Sequence, residues 1–197
     1  MRIVVCAVLG FALGALPFSW ILGRLFGGLD IRNLGSGNVG ATNLARSLGW
    51  RLGLVALGLD AAKGAAAVLL ARRIAPGIES ASLWAGGMAV LGHMVTPLLR
   101  FRGGKGVATG AGVFAIVEPR ALLVALAVFT LTVAIGRMVS LASVIACVTL
   151  PLAALALGAE PGRLILAILV GALVIARHRP NLVRILDGTE NRVGGAR

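Results

Sequence analysis

The chain contains no tyrosine, and aromatic residues of every kind make up only 5% of its 197 positions. That scarcity removes the stacking platforms on which single-stranded nucleic acid is held. Acidic residues are also few, 7 Asp and Glu against 19 Lys and Arg, for a formal net charge of +12. In a soluble chain such an excess would point to nucleic acid. Here the cations stand singly or in twos and threes between apolar runs, so no nucleic-acid partner is expected. Two histidines and a handful of carboxylates make no cluster with metal-ligand spacing, and neither a metal nor another cofactor is expected. No Ser-His-Asp or Cys-His nucleophile arrangement can be argued from them either. Cys6 and Cys147 lie inside apolar runs and read as packing residues.

What is abundant is apolar. Hydrophobic residues are 58% of the chain and charged residues 13%, against roughly 45–50% and about 25% in soluble domains. A soluble fold of this length cannot hide so much apolar surface, so the chain is an integral membrane protein. The 28 glycines suit helices that approach closely in a bilayer, and Gly10/Gly14, Gly23/Gly27 and Gly49/Gly53 have the spacing for packing within or between chains. Arg2 followed by an apolar stretch has the look of a signal peptide, but the stretch continues through Leu22, about 20 residues, the length of a span.

Stretches of that kind recur near Ile3–Phe26, Gly49–Ala71, Ser82–Leu99, Val107–Val117, Ala121–Gly136, Val139–Gly158 and Leu164–Ala176. Val107–Val117 is the weakest; Gly112 and its small neighbours make it a short or tilted helix, and the total falls to six if it is re-entrant. The expectation is an all-α integral membrane protein of about seven transmembrane helices, residues 1–197 forming one polytopic domain. Arg24, Arg32, Arg46, Arg51, Arg100, Arg102, Lys105, Arg137 and the tail arginines Arg177, Arg179, Arg184, Arg192 and Arg197 fall on one side, against Arg2, Arg72, Arg73, Arg120 and Arg163 on the other. The positive-inside bias then places the N-terminus outside and the C-terminus in the cytoplasm.

Four polar, Gly- or Asn-marked segments interrupt the apolar pattern, and with this topology all four fall on the cytoplasmic face. Polar groups at membrane depth persist only where protein or water satisfies them, so four on one face suggest one site. The first, Gly35–Arg46, contains a formal G-x-G-x-x-G, but no strand precedes it and a dinucleotide fold is rejected. What remains is a donor-rich turn carrying Ser36, Asn38, Thr42, Asn43 and Arg46, suited to an anion. The second, Arg100–Thr109, lacks the Ser or Thr that a Walker loop places after its Lys. Its Gly103-Gly104-Lys105-Gly106 turn nevertheless opens a helix, which aims free N–H groups and an ammonium at an anion. Positive-inside charge accounts for Arg100 and Arg102 but less well for Lys105 among glycines. Ser140 and Ser143, one turn apart at the start of a span, either cap it or donate to phosphate. The fourth segment carries His178, Asn181 and Glu190.

Two further features lie inside spans. His93 is either a satisfied core residue or part of the site, and Asp60 and Lys63, at i and i+3 on one helix face, read as a pair supporting the site from behind more than as direct substrate contacts. Donors and cations dominate throughout, which is the chemistry of phosphate recognition.

In this order and spacing, SGNVGATNLAR (36–46), DAAKG (60–64), GH (92–93), FRGGKGVATG (101–110), VSLAS (139–143) and HRPN…G-x-E (178–190) resemble the acyl-phosphate-dependent glycerol-3-phosphate acyltransferases of bacterial membranes. The resemblance runs over nearly the whole chain; Pro180 inside the last motif and the short Gly-rich tail are its departures. It implies transfer of a fatty acyl group from acyl phosphate to the sn-1 hydroxyl of glycerol 3-phosphate, releasing lysophosphatidic acid and inorganic phosphate, in the bacterial cytoplasmic (inner) membrane. It implies membrane lipid as surroundings and a monomeric enzyme.

On that reading Ser36, Arg46, Lys105, His178 and Asn181 hold the glycerol phosphate, while Asn38, Thr42, Asn43, Ser143 and the Gly103–Gly104 backbone are candidates for the acyl-phosphate head. Ser140, His93 and Glu190 are further substrate-binding candidates, with Asp60 and Lys63 behind them. With no nucleophile–base pair to name, the donor's own phosphate is the expected proton acceptor, and the protein supplies proximity and electrostatics. An organophosphate transporter is the rival reading. It predicts matching interruptions in two halves of the chain, which are not found.

Overall fold

The computed structural model describes residues 1–194; Arg197, counted above with the tail, lies outside them. The described residues contain helices and no strand. They divide into two compact units, Met1–Val117 and Glu118 onward.

The first unit begins with α1 (Arg2–Gly14) and α2 (Phe18–Gly27), one apolar run of 26 residues interrupted before Pro17. Proline lacks the N–H that would continue the ladder. α3 (Ala41–Leu48) is short and is separated by Gly49 from α4 (Trp50–Ile74), the longest helix. α5 (Glu79–Met94) leads through the 3₁₀ turn Pro97–Leu99 and the glycine loop into α6 (Val107–Val117). α1 lies against α5, and small residues explain how: a Cβ on Gly10 or Gly14 would collide with the carbonyl of Ala85 or Ala89. The Gly10/Gly14 spacing therefore serves packing within the chain. α4 and α6 meet in the same way, Gly112 lying against the Ala61 carbonyl.

The second unit runs α7 (Pro119–Gly136), α8 (Val139–Ala156), α9 (Pro161–Arg177) and α10 (Arg179–Leu186). Pro119 and Pro161 sit in first turns, where the missing N–H costs nothing. α7 ends at Arg137, whose left-handed φ of 55° turns the chain into α8. Near the C-terminal end, the Arg137 carbonyl accepts from Val193 N–H at 2.6 Å while its Nε donates to the Val193 carbonyl at 2.9 Å.

Among the described residues, five stretches have the length and apolarity to cross a membrane: Arg2–Gly27, Trp50–Ile74, Glu79–Leu99, Pro119–Gly136 and Val139–Ala156. A sixth arises if the pair Pro161–Arg177 and Arg179–Leu186, bent by 57°, is one span. The expected seventh, Val107–Val117, has 11 residues and is about 16 Å long, roughly half the thickness of the hydrocarbon core. The membrane-integral, all-helical class is as expected.

Candidate active site

In the first unit the polar loop after α2 is built around two side chains. Asp30 accepts from the Arg32 backbone N–H at 3.0 Å, from the Arg32 guanidinium at 2.7 Å and from Arg24 at 3.1 Å. The bond from the Arg32 side chain holds the Asp30 carboxyl well below the usual carboxylate range, against the opposing effect of burial. Arg24 is also stacked over Trp20 at 5.5 Å. Sequence reasoning counted Arg24 and Arg32 only as topological charge.

The second organiser is Asn43, and its place differs from the substrate contact expected of it. Its side chain is buried, its Oδ1 accepts from the Ser36 N–H at 3.0 Å, and its Nδ2 donates to the carbonyls of Ile31, Leu34 and Asn38 at 2.9, 3.0 and 2.9 Å. An amide whose two N–H bonds are shared among three loop carbonyls and whose oxygen holds a loop N–H is a brace for that loop. Around that brace Ser36 and Thr42 are exposed, and Asn38 and Arg46 are half-buried.

The glycine loop is similarly fastened. After the Pro97–Leu99 turn, Arg100 and Phe101 both take left-handed φ values, 54° and 62°. The chain then folds back on the end of α5, with Gly103 N–H donating to the Met94 carbonyl and Gly104 N–H to the His93 carbonyl, each at 3.1 Å. These two amides were expected to face the acyl phosphate; they are bonded to α5 instead. The reason for glycine is close approach: a Cβ on Gly103 would strike the His93 and Met94 backbone, and one on Gly104 would strike the His93 ring at Nε2. Lys105, half-buried, comes next, immediately before the N-terminal turn of α6.

Behind the loop lie three buried ionisable residues. Lys63 Nζ is 2.7 Å from Asp60 Oδ1 and 2.9 Å from His93 Nδ1, and it donates to the Leu16 carbonyl at 2.6 Å. Thr96, which sequence reasoning missed, donates from Oγ1 to the Ala15 carbonyl at 2.6 Å. Both carbonyls belong to the break between α1 and α2, where the interrupted ladder leaves acceptors to be satisfied by protein. A lone Thr beside a proline carries no signal of that role.

In the second unit Glu190 is the centre. Its Oε1 accepts from Ser140 Oγ at 2.9 Å and Asn181 Nδ2 at 2.8 Å, and its Oε2 accepts from Arg184 Nε at 2.8 Å. Burial by itself would raise this carboxyl. The bonds from Asn181, Ser140 and Arg184 outweigh burial and hold it below its ordinary range. Glu190 was expected to bind substrate; as a carboxylate fully engaged with the protein's own donors it would repel a phosphate, and it orients Ser140 and Asn181 instead. Ser143 Oγ donates to the Val139 carbonyl at 2.8 Å, bonding back within α8. His178 lies buried at the bend between α9 and α10, its Nδ1 2.8 Å from the Val174 carbonyl. A carbonyl only accepts, so Nδ1 carries a proton. Pro180 occupies the first turn of α10 and leaves the helix start undisturbed.

Comparison with known proteins agrees with these observations. Residues 4–188 match the family described as glycerol-3-phosphate acyltransferase. The glycerol-3-phosphate acyltransferase of Trichlorobacter lovleyi is 43% identical over 182 residues, covering 92% of this chain and 93% of that one. That of Geotalea daltonii is 42% identical, covering 95% and 96%. Among solved structures, PlsY (YgiH), an integral membrane glycerol 3-phosphate acyltransferase, superposes in its glycerol 3-phosphate form with a TM-score of 0.93 at 39% identity, over 98% of this chain and 96% of that one. Its lysophosphatidic acid form gives 0.91 at 38% identity with the same coverage. A helical membrane chain with these segments in this order, matched over nearly its full length, belongs to the glycerol-3-phosphate acyltransferase family of integral membrane enzymes.

Proposed function

We propose that this enzyme moves a fatty acyl group directly from acyl phosphate to the sn-1 hydroxyl of glycerol 3-phosphate, with lysophosphatidic acid and inorganic phosphate as products, the first step of phospholipid synthesis. The observation that carries direct transfer is the state of Glu190. Among the described residues Ser140 is the one site serine bonded to a carboxylate, and an acyl-serine route would need that carboxylate as base. Three donors hold Glu190 in its ionised form, which makes it a poor proton acceptor. Transfer without an acyl-enzyme calls for a donor that is already activated, and the mixed anhydride of a carboxylic and a phosphoric acid is one. The glycerol hydroxyl oxygen attacks the acyl carbon, the bond from that carbon to the phosphate oxygen breaks, and the departing phosphate takes the hydroxyl proton.

The residues assigned to glycerol phosphate are Ser36, Arg46, Lys105, His178 and Asn181. Asn38, Thr42 and Ser143 are assigned to the acyl-phosphate head. Asn43, Gly103 and Gly104 act by holding their loops, and Glu190 by holding Ser140 and Asn181. The enzyme is read as a monomer in the bacterial cytoplasmic membrane, N-terminus outside and C-terminus in the cytoplasm. Glycerol 3-phosphate in its solved relative supports the acceptor, and lysophosphatidic acid supports the product.

The test uses detergent-purified protein with palmitoyl phosphate and glycerol 3-phosphate, following phosphate release and lipid product beside Lys105→Ala. Phosphate release that requires both substrates and collapses in the variant supports the reading. An acyl-enzyme trapped in the absence of glycerol 3-phosphate would overturn direct transfer. A His178→Ala variant whose kcat no longer varies with pH while glycerol-phosphate affinity is retained would implicate a protein base.

A further inference from the structure

The Asp60–Lys63–His93 group lies behind the glycine loop, with the His93 ring against Gly104, and the proposed function gives none of its three residues a substrate contact. All three are buried, with relative exposures of 2%, 4% and 7%. An ammonium has three N–H bonds and no acceptor. Lys63 has two hydrogen-bond partners, the Leu16 carbonyl at 2.6 Å and His93 Nδ1 at 2.9 Å, and makes an ion pair with Asp60 Oδ1 at 2.7 Å. His93 Nδ1 is 3.6 Å from Asp60, beyond hydrogen-bond distance, so its partner is the lysine. Because an ammonium only donates, Nδ1 is an acceptor, and the single ring proton is on Nε2. That nitrogen is the atom a Cβ on Gly104 would strike. The His93 carbonyl meanwhile receives the Gly104 N–H at 3.1 Å, and the next residue of the loop is Lys105.

We propose that Lys63 and His93 form a strut for the phosphate-binding turn: the Lys63 ammonium fixes the His93 ring in its Nε2–H tautomer, and the ring backs the Gly103–Gly104 segment so that Lys105 is presented in one position. Asp60, 2.7 Å from the Lys63 ammonium, holds it in place. Lys63 and His93 are positioning residues acting through Lys105, and the proposal rests on the assignment of Lys105 to phosphate recognition. A ring free to flip or change tautomer would let the turn shift, and a displacement of about 1 Å in a positioned group can cost on the order of 100-fold in rate.

Two substitutions separate the halves of the strut. Asparagine reproduces the acceptor at the Nδ1 position but is too short to reach Gly104. Glutamine reaches Gly104 but has no atom where Nδ1 was. His93→Asn is expected to keep the unfolding temperature near that of the wild type, since Lys63 retains its acceptors, and to lose about 10- to 100-fold in kcat/KM with the shape of the pH profile unchanged. His93→Gln is expected to lose activity comparably. Wild-type kcat/KM in His93→Asn would mean that the ring only satisfies Lys63, and would overturn the strut. A pH profile that loses a limb would make His93 a proton donor or acceptor to substrate, which overturns it equally.

Nitrogen NMR of histidine-labelled wild-type protein decides the tautomer without any variant, so a misfolded mutant leaves the proposal open to refutation. The chain has two histidines. The expected pair of signals at neutral pH is a neutral Nε2–H ring for His93 and a ring protonated at Nδ1 for His178, which faces the Val174 carbonyl. A His93 ring protonated at Nδ1 sinks the proposal. Lys105→Ala, assayed in parallel, keeps the two readings apart: full activity there removes the role given to Lys105, whatever the tautomer of His93.

Discussion

Replacing Glu190 by Gln keeps the size of the side chain and changes one oxygen into an NH₂ group, so its effect can be worked out bond by bond. The carboxylate receives three donors, Ser140 and Asn181 on Oε1 and Arg184 on Oε2. The amide oxygen goes where two donors converge, which sets the NH₂ against the Arg184 N–H. One charge-assisted bond is lost, a loss of about 1.5–3 kcal/mol in a buried setting. The Arg184 side chain is 35% exposed, so solvent screening lowers the expectation to about 1–2 kcal/mol. Glu190→Ala also strands the Ser140 hydroxyl and the Asn181 amide, each worth about 1–3 kcal/mol when left unpaired, for a total of about 3–8 kcal/mol. The assay is thermal unfolding in detergent by intrinsic tryptophan fluorescence, paired with phosphate release. Stability should rank wild type above Gln above Ala. Activity should follow the same order, because both substitutions loosen Asn181. The sign of the acid dependence also follows. A carboxyl held below its ordinary value near 4.3 contributes stability at neutral pH and retains it as the pH falls to about 5. It loses that stability only as the pH passes down through its lowered folded-state value. Glu190→Gln should lack this loss. A Gln variant as stable and as active as the wild type would refute the claim that this carboxylate holds the donor array.

Three other outcomes are expected. Asn43→Ala removes the brace of the first polar loop and leaves the Ser36 N–H and three carbonyls short of a partner. A loss of about 2–4 kcal/mol should accompany at least a tenfold rise in KM for glycerol 3-phosphate, and an unchanged KM would separate that loop from substrate. Gly14→Leu drives a side chain into the Ala89 carbonyl and should lower stability by about 1–3 kcal/mol or more, whereas Gly58→Ala, with nothing within 4 Å of its Cβ position, should be neutral or stabilising by up to about 1 kcal/mol; unfolding temperatures compare the two. For topology, single cysteines at exposed Ser80 and Asp187, in a background where Cys6 and Cys147 are replaced by Ala, should react with impermeant reagent from opposite sides of the membrane, Ser80→Cys from outside. Labelling from the same side would invalidate the proposed orientation.

The sequence by itself determined the solvent in which this chain lives and the residues its chemistry draws on. Apolar runs of span length report directly on the free energy of leaving water, and that quantity is local. The small-residue spacing Gly10/Gly14 and the donor-rich segments around Asn43, Lys105, Ser140 and Asn181 are legible for the same reason. Tertiary structure decided where each polar atom is spent. Lys63 bonds a carbonyl 47 residues away, Thr96 one 81 residues away, and Ser140 a carboxylate 50 residues away. No periodicity encodes such partners, because they depend on which helices pack together. Asn43, Gly103, Gly104 and Glu190 looked like ligands for phosphate because donors, glycines and charges are what a phosphate site contains. In a bilayer the backbone at every helix break makes the same demand for hydrogen-bond partners, and only the packed helices assign those four residues to the protein's own groups.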